Sequence, residues 1–150
     1  MNIFEKLSEA RKFIREKNLK KDGTNEFSKY DYFTPEAVEK LVSEACEKVK
    51  IICLCNLEKD ELGYFQSMRV LNLEDTKEQI PFVLRTEKPA IKATNDTQQM
   101  GGMDTYSERY IKMKAFSIKD NSLDFDAQDN RASTPPNKKT VDDLSEDDDL

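Results

Sequence analysis

Three strand-like segments follow one another between residues 50 and 87, and they constrain the fold more than any other feature of the chain. They are IICLCNL, YFQSMRVLNL and QIPFVLRTE, separated only by the polar turns EKDELG and EDTKE. Apolar runs of this length, bounded by turn residues, are typical of strands. Because the connections are short, we predict consecutive hairpins, which form a three-stranded antiparallel β-meander. Pro81 cannot donate a ladder hydrogen bond, so the third strand should be an edge strand or carry a bulge.

Helical segments lie on both sides of the predicted meander. Residues 2–17 repeat apolar side chains with helical period and predict an amphipathic helix. Thr34 and Pro35 supply the cap and first-turn signals of a second helix. A third helix is predicted from a cap at residues 95–97 to about Ile118. Hairpins followed by a helix across one face give an α+β domain, with the helices packed on the sheet.

The negative charge of the chain is confined to its C-terminal part. The net charge is −6 over the whole sequence. Residues 119–150 hold ten acidic and four basic residues, which accounts for all of it, so residues 1–118 are neutral as a body. A neutral body can still present a basic stripe to a nucleic acid. We therefore predict a folded domain over 1–118 and a disordered acidic tail over 119–150.

The composition argues against several classes of enzyme. The chain has no histidine, which removes the commonest general base, and none of its four glycines opens a phosphate-binding loop. Cys53 and Cys55 resemble half of a zinc site, but zinc needs about four ligands, and reduced, buried thiols fit the segment better. No apolar run is long enough to span a membrane, and the start of the chain has no signal-peptide core. We expect a cytoplasmic binding protein that is not an enzyme and needs no cofactor or metal.

Two segments combine aromatic rings with positive charge. In QQMGGMDTYSERYIKM, Gly101 and Gly102 precede an apolar stripe that includes two tyrosines; the glycines would allow a strand or a backbone to approach closely. Core packing and a solvated basic face are the simpler interpretations of this helix. In LKKDGTNEFSKYDYF, lysines alternate with rings, as in single-strand binders whose cations follow phosphates while rings stack on bases. An ordinary loop is the alternative there, with Phe27 and Phe33 packed in the core.

These segments resemble the ERF (essential recombination function) family of phage single-strand annealing proteins. The C-terminal block of that family has a pattern that this sequence matches at Gln98, Gly101, Thr105, Tyr106, Arg109 and Tyr110. The segment AFSIKDNSLDFDA after the block, the run LKKDGTNEFSKYDYFTPEAV and the opening MNIFEKLSEAR are also similar. The resemblance covers residues 1 to about 127. Glu26, Lys29 and Glu108 depart from the usual family residues.

The resemblance implies a β-β-β-α core that assembles into rings or filaments and pairs complementary strands without ATP, with single-stranded DNA in a groove. By this resemblance the protein would act in phage-type recombination and repair, in the host cytoplasm if it is phage-encoded. The acidic tail could recruit a host or phage single-strand binding or replication protein. The DNA-binding residues expected are Lys20, Lys21, Lys29, Tyr30, Tyr32, Gly101, Tyr106, Arg109, Tyr110 and Lys112.

Two other hypotheses are open at this point. One is a non-catalytic protein-interaction module derived from an annealing protein, since Glu26 and Glu108 remove positive charge from the expected DNA path. The other is a metal-dependent nuclease that uses the aspartates near residue 124, because clustered carboxylates can hold magnesium.

Overall fold

A computed structural model describes residues 1–17, 30–88 and 95–119 and the short segment 23–25; for 23–25 and 30–32 it describes the backbone. Its elements are, in order, α1 (Ile3–Glu16), β1 (Gly23–Asn25), β2 (Tyr30–Tyr32), α2 (Pro35–Val49), β3 (Ile51–Asp60), β4 (Gly63–Asn72), β5 (Asp75–Thr86) and α3 (Asp96–Ala115). Apart from Lys119, the predicted acidic tail lies outside the described residues.

The predicted meander is confirmed. Strands β3, β4 and β5 form one antiparallel sheet in that order, and the three helices complete an α+β fold. Strands β1 and β2 pair with each other in a separate two-stranded sheet, in register from Gly23 opposite Tyr32 to Asn25 opposite Tyr30. This hairpin was not predicted, because strands of three residues are too short to establish an alternating pattern.

The strands of the meander are longer than the apolar runs that predicted them. β3 continues to Asp60 and β5 begins at Asp75, so each connection is a turn of only two residues. The added strand ends are polar, and all of their residues except the partly buried Glu78 are exposed, so hydrophobicity gave no sign of them. Gly63 begins β4 with a φ of 120°, a backbone conformation that favours glycine.

Pro81 lies in an edge strand, as predicted. β5 is the outer strand of the sheet, and Pro81 faces Arg69 in the regular part of the ladder. The irregularity in this ladder lies instead between Leu71 and Asn72, where Leu71 pairs with Gln79 but Asn72 pairs with Asp75. The hairpin turn, rather than the proline, interrupts the register.

Each of the three helices begins at a side-chain cap. Asn2 and Asn95 each accept a hydrogen bond from a backbone N–H in the first turn, and the Glu5 and Gln98 side chains complete a capping box in return. Thr34 caps α2 by accepting from the Ala37 N–H at 3.2 Å. Predicted helix starts were therefore accurate to within about two residues. Within the described part of the chain, no helix combines the length and the apolar character that crossing a membrane requires.

The core lies between the helices and one face of the sheet. Along β4, every second side chain from Gln66 to Asn72 is buried, and the intervening residues are at least partly exposed. Met68 and Val70, the middle pair of this row, join the main apolar cluster, to which all three helices contribute. Phe33 is also part of that cluster, as expected from its sequence.

A buried lysine fixes α1 to the sheet. The side chain of Lys6 is only 3% exposed, and its ammonium donates to Asn72 Oδ1 at 2.7 Å and to Glu74 Oε1 at 2.6 Å. A longer contact of 3.4 Å reaches the Lys50 carbonyl at the end of α2. One cation therefore links α1 to the end of α2 and to the β4–β5 turn. A buried ammonium is tolerated only when its protons are satisfied in this way.

We expect Lys6→Met to lower the free energy of unfolding by about 1–3 kcal/mol, because the buried Asn72 side chain loses a charged donor. Lys12→Met is the matched control, since Lys12 is exposed on the same helix and should change stability by no more than about 0.5 kcal/mol. Urea unfolding of the three proteins measures both effects. Equal stability of the two variants would mean that the Lys6 contacts contribute nothing net.

Candidate nucleic-acid interface

Two tyrosines and an arginine form a compact cluster on α3, which we call the tyrosine–arginine cluster (Tyr106, Arg109 and Tyr110). The two rings are tilted by 50° with centroids 4.4 Å apart. The Arg109 guanidinium carbon lies 4.7 Å from the Tyr110 centroid and 5.5 Å from that of Tyr106, both within cation–π range. The cluster follows from helical spacing, because residues three and four apart lie on one face.

Arg109 also links the cluster to the other candidate segment. Its Nη1 donates to the Phe33 carbonyl at 3.0 Å, and its Nη2 donates to the Tyr110 hydroxyl at 3.3 Å. Phe33 directly follows β2, the strand that carries Tyr30 and Tyr32. The two ring-and-cation segments, about 70 residues apart in sequence, therefore meet at Arg109.

The two tyrosines of the cluster differ in exposure. Tyr106 is 52% exposed and presents one side of its ring to solvent. Tyr110 packs against the core, and burial raises the pKa of its hydroxyl to about 12, although the nearby Arg109 charge opposes that rise. Tyr110 is therefore a neutral hydroxyl at physiological pH, whereas Tyr106 offers an accessible aromatic surface.

Tyr106 borders a cleft between α3 and the end of the β-meander. This cleft, which we call the hairpin cleft, has a volume of about 1320 Å³. Tyr64, Arg85 and Lys88 line it on the sheet side, and Gly102 lines it on the helix side. Arg85 is held by Asp60, whose two carboxylate oxygens accept from its two terminal nitrogens at 2.6 Å each. The hydrogen bonds from Arg85 keep the pKa of Asp60 low, at about 2. The cleft therefore combines two rings with two cations, each of which has a carboxylate partner, and with the carboxylate of Glu87.

The sheet side of this cleft was not predicted from the sequence. Tyr64 and Arg85 belong to different strands, and they come close only through the register that places Tyr64 opposite Thr86. The apolar pattern of β4 and β5 predicted that the strands pair, but the strand ends that determine the register were hidden in the presumed turns. A sequence search for aromatic and basic residues at strand ends would have been the available signal.

Lys112 lies in the interior and not on the open surface. Its side chain is 8% exposed, and its ammonium donates to Glu39 on α2 and to Glu108 Oε1, the latter at 3.0 Å. Burial by itself would lower the pKa of Lys112, but these two carboxylates outweigh it and the pKa lies above its ordinary value. The lysine thus joins α2 to α3 with its charge neutralised inside the protein.

The two acids near Arg109 have partners of their own. Glu108 accepts the hydrogen bond from Lys112, and Asp104 Oδ1 accepts from Gln66 Nε2 at 2.9 Å. Glu108, which stands where the family usually has an arginine, therefore has a structural role in this chain. An arginine at that position would bring a second positive charge beside buried Lys112.

The remaining candidate residues fall into two groups. Gly101 and Gly102 are exposed, and a Cβ atom added at either would meet nothing within 4 Å among the described residues. The close approach of a strand or backbone that we expected at these glycines does not occur in that part of the structure. Lys20, Lys21 and Lys29 lie outside the described residues, as do the side chains of Tyr30 and Tyr32.

Among the described residues, no group of three or more histidine, cysteine, aspartate or glutamate side chains could hold a metal ion. The aspartates near residue 124, on which the nuclease hypothesis depends, lie outside the described ranges.

Comparison with known proteins places the chain in a family. Searches of curated proteins and of solved structures each found no match. The family model of the ERF superfamily matches residues 3–149, which is nearly the whole chain and extends beyond the segments in which we noted the resemblance. The chain belongs to the ERF superfamily.

Proposed function

We propose that this protein binds single-stranded DNA and anneals complementary strands without ATP, in phage-type homologous recombination. The proposal rests on the half-exposed Tyr106 ring. This ring contacts the Arg109 guanidinium and borders the hairpin cleft. An accessible ring stacks on a base of any sequence, and cations beside it contact the phosphates. Membership of the ERF superfamily agrees with this role.

The cations around the ring favour a single strand as the ligand. Lys88 and Arg85 line the cleft that Tyr106 borders, and Lys59 lies 5.0 Å above the Tyr64 ring at the same end of the sheet. A flexible chain of phosphates with unstacked bases can alternate between such rings and charges, whereas a duplex keeps its bases inside. We propose that Lys20, Lys21 and Lys29, which lie outside the described residues, extend the path together with Tyr30 and Tyr32.

Assembly is the second part of the proposal. In the described part of the chain, the outer edges of β3 and β5 have no strand paired to them. Exposed edges of ten and twelve residues are templates for pairing with another chain. The sheet face opposite the helices also exposes apolar side chains, with Ile52 at 41% and Val83 at 57%. We propose that copies of the protein meet along these surfaces in rings or filaments.

A protein-interaction module is the second candidate function. A smaller cleft of about 580 Å³ lies between the start of α2 and α3, and Glu36, Glu39 and Glu108 line it. Three carboxylates beside Arg109 and Lys112 favour a mixed-charge peptide over a polyanion at that cleft. The predicted acidic tail would also serve an interaction module if it recruits a replication partner. It would act on DNA binding instead if it competes with DNA.

A single assay separates the proposed functions. Mixed with labelled complementary oligonucleotides and no nucleotide, the full chain should accelerate pairing, and it should bind single strands without sequence preference. Affinity should fall with salt, by about 0.7 in log K per tenfold change in salt for each neutralised phosphate. Light scattering of the same mixtures should detect assemblies larger than one chain. A protein that ignores the strands would favour the interaction module, and cleavage on addition of magnesium would favour a nuclease.

Tyr106→Ala should weaken single-strand binding by about 1–3 kcal/mol, the range for one stacked base, because it removes the accessible ring. Stability should change little, since the ring is half in solvent. Phe4→Ala is the matched control: Phe4 is an aromatic residue 69% exposed on a different helix. Fluorescence anisotropy with a labelled oligonucleotide measures all three proteins. If Tyr106→Ala and Phe4→Ala lose the same affinity for the oligonucleotide, the loss reflects assembly of the protein and not stacking on Tyr106.

Arg109→Ala should weaken single-strand binding by about 1–3 kcal/mol, the value of one charge-assisted hydrogen bond. Because the residue also bonds to Phe33, urea unfolding must be measured in parallel and affinity expressed per folded molecule. Arg109→Lys keeps the charge but loses the planar fork, so we expect an intermediate affinity. Lys114→Ala, an exposed cation on the same helix, is the control for general charge. An affinity that depends only on net charge would remove Arg109 from the interface.

A further inference from the structure

Two cysteines from different elements lie side by side. Cys46 is in the last turn of α2 and Cys53 is on β3, and their sulfur atoms are 3.9 Å apart. Both are free thiols, and one S–H donates to the other sulfur. The α2–β3 connection is short, so the end of the helix folds directly onto the strand and brings the two side chains together.

This pair is accessible through a cleft. Cys46 and Cys53 both line a cleft of about 480 Å³ at the junction of α2 and β3, and Lys112 and Lys50 line it too. Cys46 itself is only 8% exposed, so a reagent reaches it through this cleft. A small neutral molecule fits such a space.

The two thiols differ in acidity. The hydrogen bond with Cys53 lowers the pKa of Cys46; the Lys112 charge assists this, whereas burial and the Glu39 charge oppose it. The same hydrogen bond, together with burial, raises the pKa of Cys53. Cys55, the third cysteine, is two residues along the same strand, and burial raises its pKa to about 11. Cys46 is therefore the nucleophilic member of the pair, because the thiolate is the reactive form.

We propose that Cys46 and Cys53 form a site of oxidative modification, a dithiol that hydrogen peroxide converts into an intramolecular disulfide. The Cys46 thiolate attacks one peroxide oxygen, the O–O bond breaks, and the departing hydroxide takes up a proton to give water. The resulting sulfenic acid is then attacked by the sulfur of Cys53, which gives up its proton. The S–S bond forms as the S–O bond breaks, and a second water leaves. Two thiols lose two electrons, and the peroxide gains them.

The two sulfurs already lie close together. They must move from 3.9 Å to the roughly 2.0 Å of a disulfide bond for the bridge to close. Closure would tie the end of α2 to the edge strand β3. Because a cross-link restricts the unfolded chain, the oxidised protein should be the more stable form. This site lies apart from Tyr106, and the inference does not depend on DNA binding.

The test is a titration of the reduced full chain with hydrogen peroxide at low protein concentration. We expect two of the three thiols to be lost, the intact mass to fall by about two mass units, and peptide mapping without reductant to join Cys46 to Cys53. The melting temperature should rise by several degrees and return to its starting value with dithiothreitol. Cys55→Ser should behave like the wild type, since that residue is outside the pair.

Two variants identify the attacking sulfur. Cys53→Ser should leave a sulfenic acid on Cys46 that dimedone traps, whereas Cys46→Ser should react at least tenfold more slowly, because the remaining thiols are the less acidic ones. Wild-type mapping remains decisive even if either variant folds poorly. A bridge that involves Cys55, a disulfide between two chains, or the retention of all three thiols would each overturn the proposal.

Discussion

One buried row on the central strand organises the rest of the structure. The row runs Gln66, Met68, Val70 and Asn72, with two apolar side chains between two polar ones. The apolar pair supplies the middle of the core, and each polar end is held by a different helix. Gln66 donates to Asp104 and Ser107 on α3, and Asn72 accepts from α1. These bonds satisfy the Gln66 amide nitrogen and the Asn72 oxygen and fasten α3 and α1 to the two ends of the row, although the buried Gln66 Oε1 has no hydrogen-bond partner among the described residues.

The position of α3 then determines what its charged residues can do. With Ser107 fixed over Gln66, the helix turns Lys112 toward Glu39 on α2 and leaves Tyr106 at the border of the hairpin cleft. Lys112 is thereby held in an internal ion pair. Arg109 contacts two tyrosine rings and donates a hydrogen bond to a backbone carbonyl. The proposed DNA surface is accordingly built from a ring with modest charge around it, which suits reversible contact with a strand that must find its complement.

Much of the fold could be predicted from the sequence, because hydrophobic period and cap residues are local signals. The three helices, the caps of α2 and α3 and the order of the meander depend on residues within one segment, and they were predicted correctly; the cap of α1 at Asn2 was not predicted. The β1–β2 hairpin and the polar ends of β3 and β5 were missed, since hydrogen bonds to a neighbouring strand hold them without an apolar pattern. In the candidate site, the tyrosine–arginine cluster follows from spacing on one helix, whereas Tyr64 and Arg85 depend on strand register.

The sequence by itself determined which residues form elements, which faces are apolar, and that rings and cations share one helix. Only the tertiary structure decided which partner each charged side chain contacts and whether that side chain is buried. Lys6 and Lys112 are indistinguishable in sequence from exposed lysines, yet both are buried against carboxylates that are distant along the chain. Likewise, no pattern in the sequence indicates that Cys46 and Cys53 lie side by side. Spacing along one element determines its faces, but the partner of a charge or a thiol depends on which elements pack together, and that is a property of the whole core.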